Sequence, residues 1–200
     1  MPNWCDCDLT ITGKPDDVDA VLSALAGPET VFDFNSVIPM PPGLQIEDGS
    51  ITDLAFSCFK GDISRWQNYD WAKGKTAQQL CERSGKTYEE MLALGARVAE
   101  NLQKYGSATW YDWCNKHWGT KWNACDAIAE RVNPNRVMIH FKTAWAPAEP
   151  VINALAAKFP AVHITFRFYE RGMGFQGKRR FEAGICVTTA DSSYSGQRGG

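Results

Sequence analysis

The sequence predicts an α+β fold: a ferredoxin-like split β-α-β antiparallel sheet with a large helical, Trp-rich insertion. A strand–helix–strand pattern occupies the start of the chain, and a second one, followed by an extra strand, occupies its end. Between them lies a mostly helical stretch, in which residues 110–124 hold four of the chain's eight tryptophans. These three observations favour one sheet domain built from two distant halves.

The first half of the sheet domain is predicted to span residues 1–43. Residues 7–13 alternate apolar and polar side chains and end at a glycine, as a half-buried strand does. The next helix begins near Pro15 and has acids in its first turn, where proline and negative charge are favoured. The run of β-formers at residues 31–38 predicts a second strand.

The insertion is predicted to span residues 44–135 and to be mainly helical. Its clearest helix follows a capping box formed by Thr87 and Glu90. A weaker helix is predicted after Thr76, and another over residues 123–131.

The second half of the sheet domain is predicted to span residues 136–190. Strands are predicted at residues 136–145, 161–169 and 180–188, because each run alternates or is rich in β-formers. The prolines and the glutamate of residues 147–150 open the helix between the first two of these strands.

The composition, 44% hydrophobic and 22% charged, is ordinary for a globular protein. A net charge of −2 and a pI near 5.9 argue against strong non-specific nucleic-acid binding by the whole chain. Seven scattered cysteines, no signal-peptide pattern and no long apolar run predict a cytoplasmic protein with reduced thiols and no membrane span. The Ser/Gly-rich tail at residues 191–200 is predicted to be flexible.

Several short blocks, in order along the chain, resemble one known family. They are residues 1–5, 9–13, 32–35, 38–41, 118–124, 143–147 and 169–170. Together they resemble the YubB ferredoxin-like family of phage, prophage and plasmid proteins, over about residues 1–188. The resemblance implies a ferredoxin-like fold and a mobile-element origin, and it implies no catalytic residues because the family has no assigned activity. Cys7, where a polar residue is expected in relatives, is a minor departure.

The sheet face opposite the helices is the first candidate site. Alternation places Asp6 and Asp8 on this face in the central strand. The neighbouring strands add His140, Lys142, Arg167 and Tyr169. One interpretation is a ladder of opposite charges that stabilises the sheet, and the other is a binding surface, as in RNA-recognition modules. Direct RNA binding is disfavoured, because no row of exposed aromatics is predicted and the two acids would repel phosphate.

The Trp-rich segment is predicted to be a structural plug packed beside the sheet. Trp118 and Trp122 are four residues apart, so both indoles can lie on one side, and Lys121 between them can form cation–π contacts. The alternative is that the three residues form a contact surface for a ligand.

The glycine-rich residues 172–178 match a dinucleotide-binding pattern, but a strand rather than a helix is predicted to follow them. A hairpin is therefore the preferred interpretation. Its basic residues remain candidates for contact with an acidic partner, and they are Arg171, Lys178, Arg179 and Arg180.

Cys114 and His117 could offer two ligands to a metal, with Cys125 a distant third. Structural zinc needs four ligands, usually in paired short spacings, so no metal site is predicted. No cofactor site is predicted either.

The sequence favours a non-enzymatic binding protein that engages a host or phage macromolecule, with counter-defence as one role. That last step depends on the resemblance. A protein partner is expected, nucleic acid is less favoured, and the oligomeric state is left open. One alternative is a small-molecule or nucleotide-binding enzyme with its site where the insertion meets the sheet. The other is a nucleic-acid-binding protein that uses the basic hairpin at residues 171–180.

Overall fold

The computed structural model describes residues 3–196. The chain divides into two compact units: residues 40–113 form a helical unit, and residues 1–39 together with 114–200 form a sheet unit. The class is α+β with a split antiparallel sheet, which confirms the predicted ferredoxin-like fold.

The strands of the sheet unit are β1 (Trp4–Thr12), β2 (Cys125–Asn133), β3 (Arg136–Ala144), β4 (His163–Glu170), β5 (Phe175–Glu182) and β6 (Ile185–Ser193). They lie in the order β2-β3-β1-β4-β5-β6, and each adjacent pair is antiparallel. β1 pairs with both β3 and β4, which confirms the central position predicted for the first strand.

The helices are α1 (Pro15–Leu25), α2 (Phe34–Val37), α3 (Ser50–Lys60), α4 (Ala77–Arg83), α5 (Tyr88–Tyr105), α6 (Trp110–His117) and α7 (Glu149–Lys158). α1, α2 and α7 belong to the sheet unit, and α3, α4 and α5 belong to the helical unit. α6 crosses the boundary between the two units, which falls after Trp113.

One face of the sheet packs against helices and is called the covered face. It includes the fully buried Leu9 and Ile11 of β1, as alternation predicts. Aromatic rings continue this core, because Phe32 packs edge-on against both Phe34 and Phe141 at centroid distances of 5.0 Å. The opposite side, called the open face, carries the alternate side chains of β1, which are Asp6, Asp8, Thr10 and Thr12.

The prediction of a strand at residues 31–38 is wrong, because the second part of this segment forms the short helix α2. The side chain of Asp33 accepts a hydrogen bond from the Asn35 amide and so caps this helix. The Phe34 amide donates to Asn123 Oδ1 at 2.8 Å, which ties the same turn to a distant segment. A local cap and a tertiary contact thus outweigh the β propensity of the run.

The helix predicted at residues 123–131 is also wrong, because this segment is the edge strand β2. β2 pairs with β3 across the turn at Pro134 and Asn135, and this pairing overrides local helix propensity. The compact helical unit accordingly covers residues 40–113 rather than the predicted 44–135.

The single last strand predicted at residues 180–188 is in fact the β5–β6 hairpin, which turns at Ala183 and Gly184. Both turn residues have positive φ, +50° and +78°, as a tight hairpin turn requires. β6 continues to Ser193, so the segment predicted to be a flexible tail begins inside a strand. Residues 197–200 of that tail lie outside the described part of the chain.

In the helical unit, α3 and α5 pack closely at Gly95, where an added Cβ would lie 2.3 Å from the Ala55 carbonyl oxygen. The predicted capping box at Thr87 forms, and an equivalent one forms at Thr76. None of the helices described between residues 3 and 196 is both long and apolar enough to cross a membrane.

Candidate functional site

The strand register brings most of the predicted site residues together on the open face. Asp8 of β1 lies opposite His140 on β3 and opposite Arg167 on β4. Two residues earlier, Asp6 lies opposite Lys142 and Tyr169. The acids therefore run along the central strand with basic residues on both sides, which is the predicted pattern.

On the β2–β3–β1 half of this face, acidic and basic side chains are in direct contact. His140 Nδ1 lies 2.5 Å from Asp8 Oδ1, and Lys142 Nζ donates to Asp126 Oδ2 at 2.9 Å. The hydrogen bond that Lys142 donates to the Asp126 carboxylate raises the pKa of Lys142 and keeps the amine charged. A carboxylate that orients an imidazole also occurs in general bases, and this pair is the feature that the small-molecule alternative would use.

The β4–β5–β6 half of the open face has a different charge pattern. Arg167 and Lys178 lie directly opposite each other across β4 and β5. Among the described residues, neither forms an ion pair with a carboxylate, whereas the nearby Arg180 pairs with Glu182 at 2.8 Å. Like charges at opposite positions destabilise a sheet. This half of the face therefore presents an uncompensated pair of cations.

Aromatic rings line the end of the open face next to these cations. Tyr169 stacks on Tyr194 with ring centroids 5.4 Å apart and planes 13° apart. Trp4 packs on Trp122 at 5.9 Å, and Lys121 Nζ lies 4.0 Å from the Trp122 ring centroid. The sequence analysis missed Trp4 and Tyr194, although the alternation that places Asp6 on this face also places Trp4 there.

Lys178 also lines a shallow depression of about 170 Å³ on the surface of the sheet. Its lining comes from β5 and β6: Gln176, Gly177, Lys178, Ala190, Asp191 and Ser192. A larger concavity of about 330 Å³ lies in the helical unit, where the acids Glu47 and Asp48 face the bases Lys86 and Arg97. The mixed charges of this second concavity select no class of ligand.

The structure corrects the plug interpretation of the Trp-rich segment for one of its two tryptophans. Trp118 is 3% exposed, donates its indole N–H to the Ile38 carbonyl at 2.9 Å and packs edge-on against Phe34. Trp122 is 37% exposed and packs with Trp4 at the open face. Trp118 is therefore structural, and Trp122 is available for contact.

The structure also corrects the prediction that all four basic residues of the hairpin are available to a partner. The turn between β4 and β5 holds the glycine-rich stretch, as the hairpin interpretation predicts, and Arg171 is exposed there. Arg179, however, is buried on the covered face, where it binds Glu149 through Nε at 2.6 Å and Asp191 through an NH group at 2.8 Å. Burial alone would lower the pKa of Arg179, but the hydrogen bonds to the two carboxylates raise it. Arg179 cannot contact an external partner.

Metal ligation has no geometric support in residues 3–196, where no three His, Cys, Asp or Glu side chains are placed to hold an ion. Burial raises the pKa of Cys114 to about 11, so this thiol is protonated at neutral pH. Cys58 and Cys81 are buried neighbours in the helical unit with Sγ atoms 3.6 Å apart, and burial raises the pKa of Cys81 to about 12. These properties are those of unreactive core thiols.

Comparison with known proteins agrees with this architecture. The family model described as a ferredoxin-like domain in Api92-like protein matches residues 117–198. The crystal structure of the protein api92 from Yersinia pseudotuberculosis superposes with a TM-score of 0.54 and 15% sequence identity, covering 98% of this chain and 99% of that chain. A search of curated proteins finds no match. The second half of the sheet unit thus resembles the ferredoxin-like domain of Api92-like proteins, a group of unknown function, and the whole chain shares the api92 fold.

Proposed function

We propose that this chain is a non-enzymatic binding protein that holds a protein partner on the open face of its sheet. The observation that carries the proposal is the β4–β5–β6 half of that face. There the opposed cations Arg167 and Lys178 lie next to the stacked rings of Tyr169 and Tyr194. Tyrosine, tryptophan and arginine are the residues that most often dominate the energy of protein interfaces.

The charge pattern favours a protein over a polyanion. A phosphate backbone carries one sign of charge along its whole length, and Asp6 and Asp8 would repel it along the central strand. A protein surface can place carboxylates against Arg167 and uncharged or basic groups against the acids, which gives electrostatic complementarity. The partner surface that fits is therefore acidic where it meets β4 and β5.

The biological setting belongs to the same proposal. The resemblance of the sequence blocks to phage, prophage and plasmid proteins supports a mobile-element origin, and the likeness to api92 supports the fold on which this resemblance depends. An accessory protein of this kind would act in the cytoplasm on a host or phage macromolecule, and counter-defence is one such role.

The test is affinity capture from host cells with the wild-type protein, Arg167→Glu and the matched control Lys14→Glu. Lys14 is an exposed lysine of the sheet unit outside the strands, so its reversal changes net charge equally. We expect Arg167→Glu to reduce the captured partner by about tenfold or more, because a repulsive contact replaces an attractive one. Equal capture by all three proteins would contradict the use of this face.

Nucleic acid is the second candidate, because Lys178, Arg180 and the tyrosine stack are on one face, as in single-strand-binding surfaces. Quenching of tryptophan fluorescence by single-stranded oligonucleotides, titrated at rising salt, separates it from the protein partner. Tight binding that weakens steeply with salt and is lost in Arg167→Glu would favour this candidate over the first.

A further inference from the structure

A pocket lined mainly by apolar and aromatic side chains lies within the helical unit, and it is called the tryptophan pocket. Its volume is about 170 Å³. Its floor is apolar, because Leu54, Trp66 and Leu80 are buried members of the helical core. Trp71, which is 37% exposed, forms a wall. The other lining residues are Ser50, Ile51, Arg83 and Ser84.

The tryptophan pocket is built by α3, α4 and the chain segment between them. Leu80 and Arg83 are three residues apart on α4, so both side chains lie on the same side of this helix. The capping box at Thr76 fixes where α4 begins and therefore where its last-turn arginine lies. In the connecting segment, Trp66 donates its indole N–H to Ser57 Oγ at 3.0 Å, which holds the ring in place.

The two tryptophan rings are arranged to receive an aromatic ligand. The centroids of Trp66 and Trp71 are 6.0 Å apart, and the ring planes are 65° apart. A planar ring seated against both can stack on one indole and meet the other edge-on, which are the two arrangements that aromatic pairs prefer. A dry cavity of about 150 Å³ holds a benzene molecule. The volume of the tryptophan pocket therefore suits a single six-membered ring.

The charge of the tryptophan pocket selects an anion. Arg83 is the one charged residue among the described residues that line it, and its guanidinium carbon lies 5.3 Å from the Trp71 ring centroid. In the described part of the chain Arg83 has no ion pair with a carboxylate, whereas Arg65, which lies over Trp66, pairs with Asp53 at 2.8 Å. Aromatic pockets also bind ammonium ions, but Arg83 would repel such a ligand.

We propose that the tryptophan pocket binds a small aromatic carboxylate, with its ring against Trp66 and Trp71 and its carboxylate on Arg83. The planar guanidinium fork matches the two oxygens of a carboxylate. The Ser50 hydroxyl and the positive end of the α3 dipole favour the same charge. This binding site goes beyond the function proposed for the open face. Neither depends on the other, because their residues belong to different units.

The experiment is an NMR titration of the whole chain, followed through the indole N–H signals of its tryptophans. The probe is phenylacetate, phenylacetamide is its neutral analogue of the same shape, and acetate carries the charge without the ring. The Trp71 signal is identified by its loss in Trp71→Phe. We expect phenylacetate to shift this signal with a Kd of about 1 mM or tighter, as suits a ligand of about ten non-hydrogen atoms. Both analogues should bind about tenfold or more weakly, since each lacks one of the two contacts.

Arg83→Gln tests the cation. We expect this change to weaken phenylacetate binding by about tenfold and to remove the preference for phenylacetate over phenylacetamide. A loss of packing alone would weaken both ligands equally. The matched control is Arg97→Gln, which removes an exposed arginine of α5 that does not line the tryptophan pocket. The control should leave the binding of both ligands unchanged.

Three results would overturn the proposal. The first is that phenylacetate gives no saturable shift of the Trp71 signal, or shifts only other tryptophans. The second is that phenylacetate and phenylacetamide bind equally to the wild type, and the third is that Arg97→Gln weakens binding as much as Arg83→Gln. The first two need only the wild-type spectrum, so they remain decisive if Arg83→Gln does not fold. The function proposed for the open face is tested separately, by partner capture through Arg167.

Discussion

The two faces of the sheet are built from alternate residues of the same strands, yet their charged side chains are held in different ways. On the covered face, apolar groups such as Leu9 and Ile11 are fully buried, and the one charged group buried on β5, Arg179, is held by Glu149 and Asp191. On the open face, Arg167 and Lys178 lie opposite each other without a carboxylate partner among the described residues. A buried charge thus has to be paired within the protein. An exposed charge does not, so it can remain unpaired until a partner binds.

The Trp-rich segment shows the same difference. Trp118 packs into the aromatic core through Phe34, and Trp122 packs against Trp4 at the open face. Only three residues of chain therefore separate a tryptophan that stabilises the fold from one that is available for contact.

The largest expected effect is that of Trp118→Ala. Removing this buried indole leaves a cavity and an unpaired Ile38 carbonyl, which should lower the free energy of unfolding by about 3–5 kcal/mol. Trp122→Ala, the matched control, should cost at most about 1 kcal/mol, because its ring is partly exposed. Urea denaturation measures both. Equal decreases in the free energy of unfolding for the two variants would show that Trp122 is as structural as Trp118.

The next effect is that of Arg179→Gln. The change leaves Glu149 and Asp191 without their shared cation, and breaking a buried pair typically costs about 3–5 kcal/mol. We expect about 2–3 kcal/mol here, since both carboxylates retain contact with water. Thermal unfolding at neutral pH checks this value. An unchanged melting temperature would mean that the covered face tolerates uncompensated charge.

The fold was predictable from sequence where the local pattern and the tertiary structure agree. Alternation in residues 7–13 and 161–169 identified two strands and their faces, because the hydrophobic period of a half-buried strand is visible locally. The pattern failed at residues 31–38 and 123–131. In the first, a side-chain cap and the distant Asn123 favour a helix, and in the second, pairing with β3 favours a strand. Neither contact has a local signal.

The central residues of the candidate site could be predicted from the sequence, but Arg179 and Tyr194 could not be placed correctly. Asp8, His140 and Arg167 come together because register follows from alternation once the strand order is known. The face of Arg179 was not predictable, because the run of three basic residues masks the alternation and the start of β5 was not identified. Tyr194 was missed because a Ser/Gly-rich tail gives no indication that its ring will stack on Tyr169.

A smaller effect is expected for Gly177→Ala on the covered face of β5. An added Cβ would lie 2.4 Å from the Phe168 ring and 2.6 Å from the Asp191 carboxylate. The ring and the carboxylate would have to shift, so we expect a loss of about 1–2 kcal/mol, in the range of overpacked cores. Gly174→Ala is not a suitable control, because its positive φ of +73° adds backbone strain. Ala190→Ser on exposed β6 is a better one and should change stability little.

The smallest and most informative effect is expected for Lys178→Thr, one residue before Arg179 and on the opposite face. Threonine favours strands, and the change removes the like charge opposite Arg167, so stability should rise by roughly 0.2–1 kcal/mol. Partner capture should fall, because half of the uncompensated cation pair is lost. Chemical denaturation and capture are measured on the same protein. A gain in stability together with a loss of capture would mean that the like-charge pair is kept for binding, whereas a loss of stability would mean that Lys178 is part of the charge ladder and that the open face is structural.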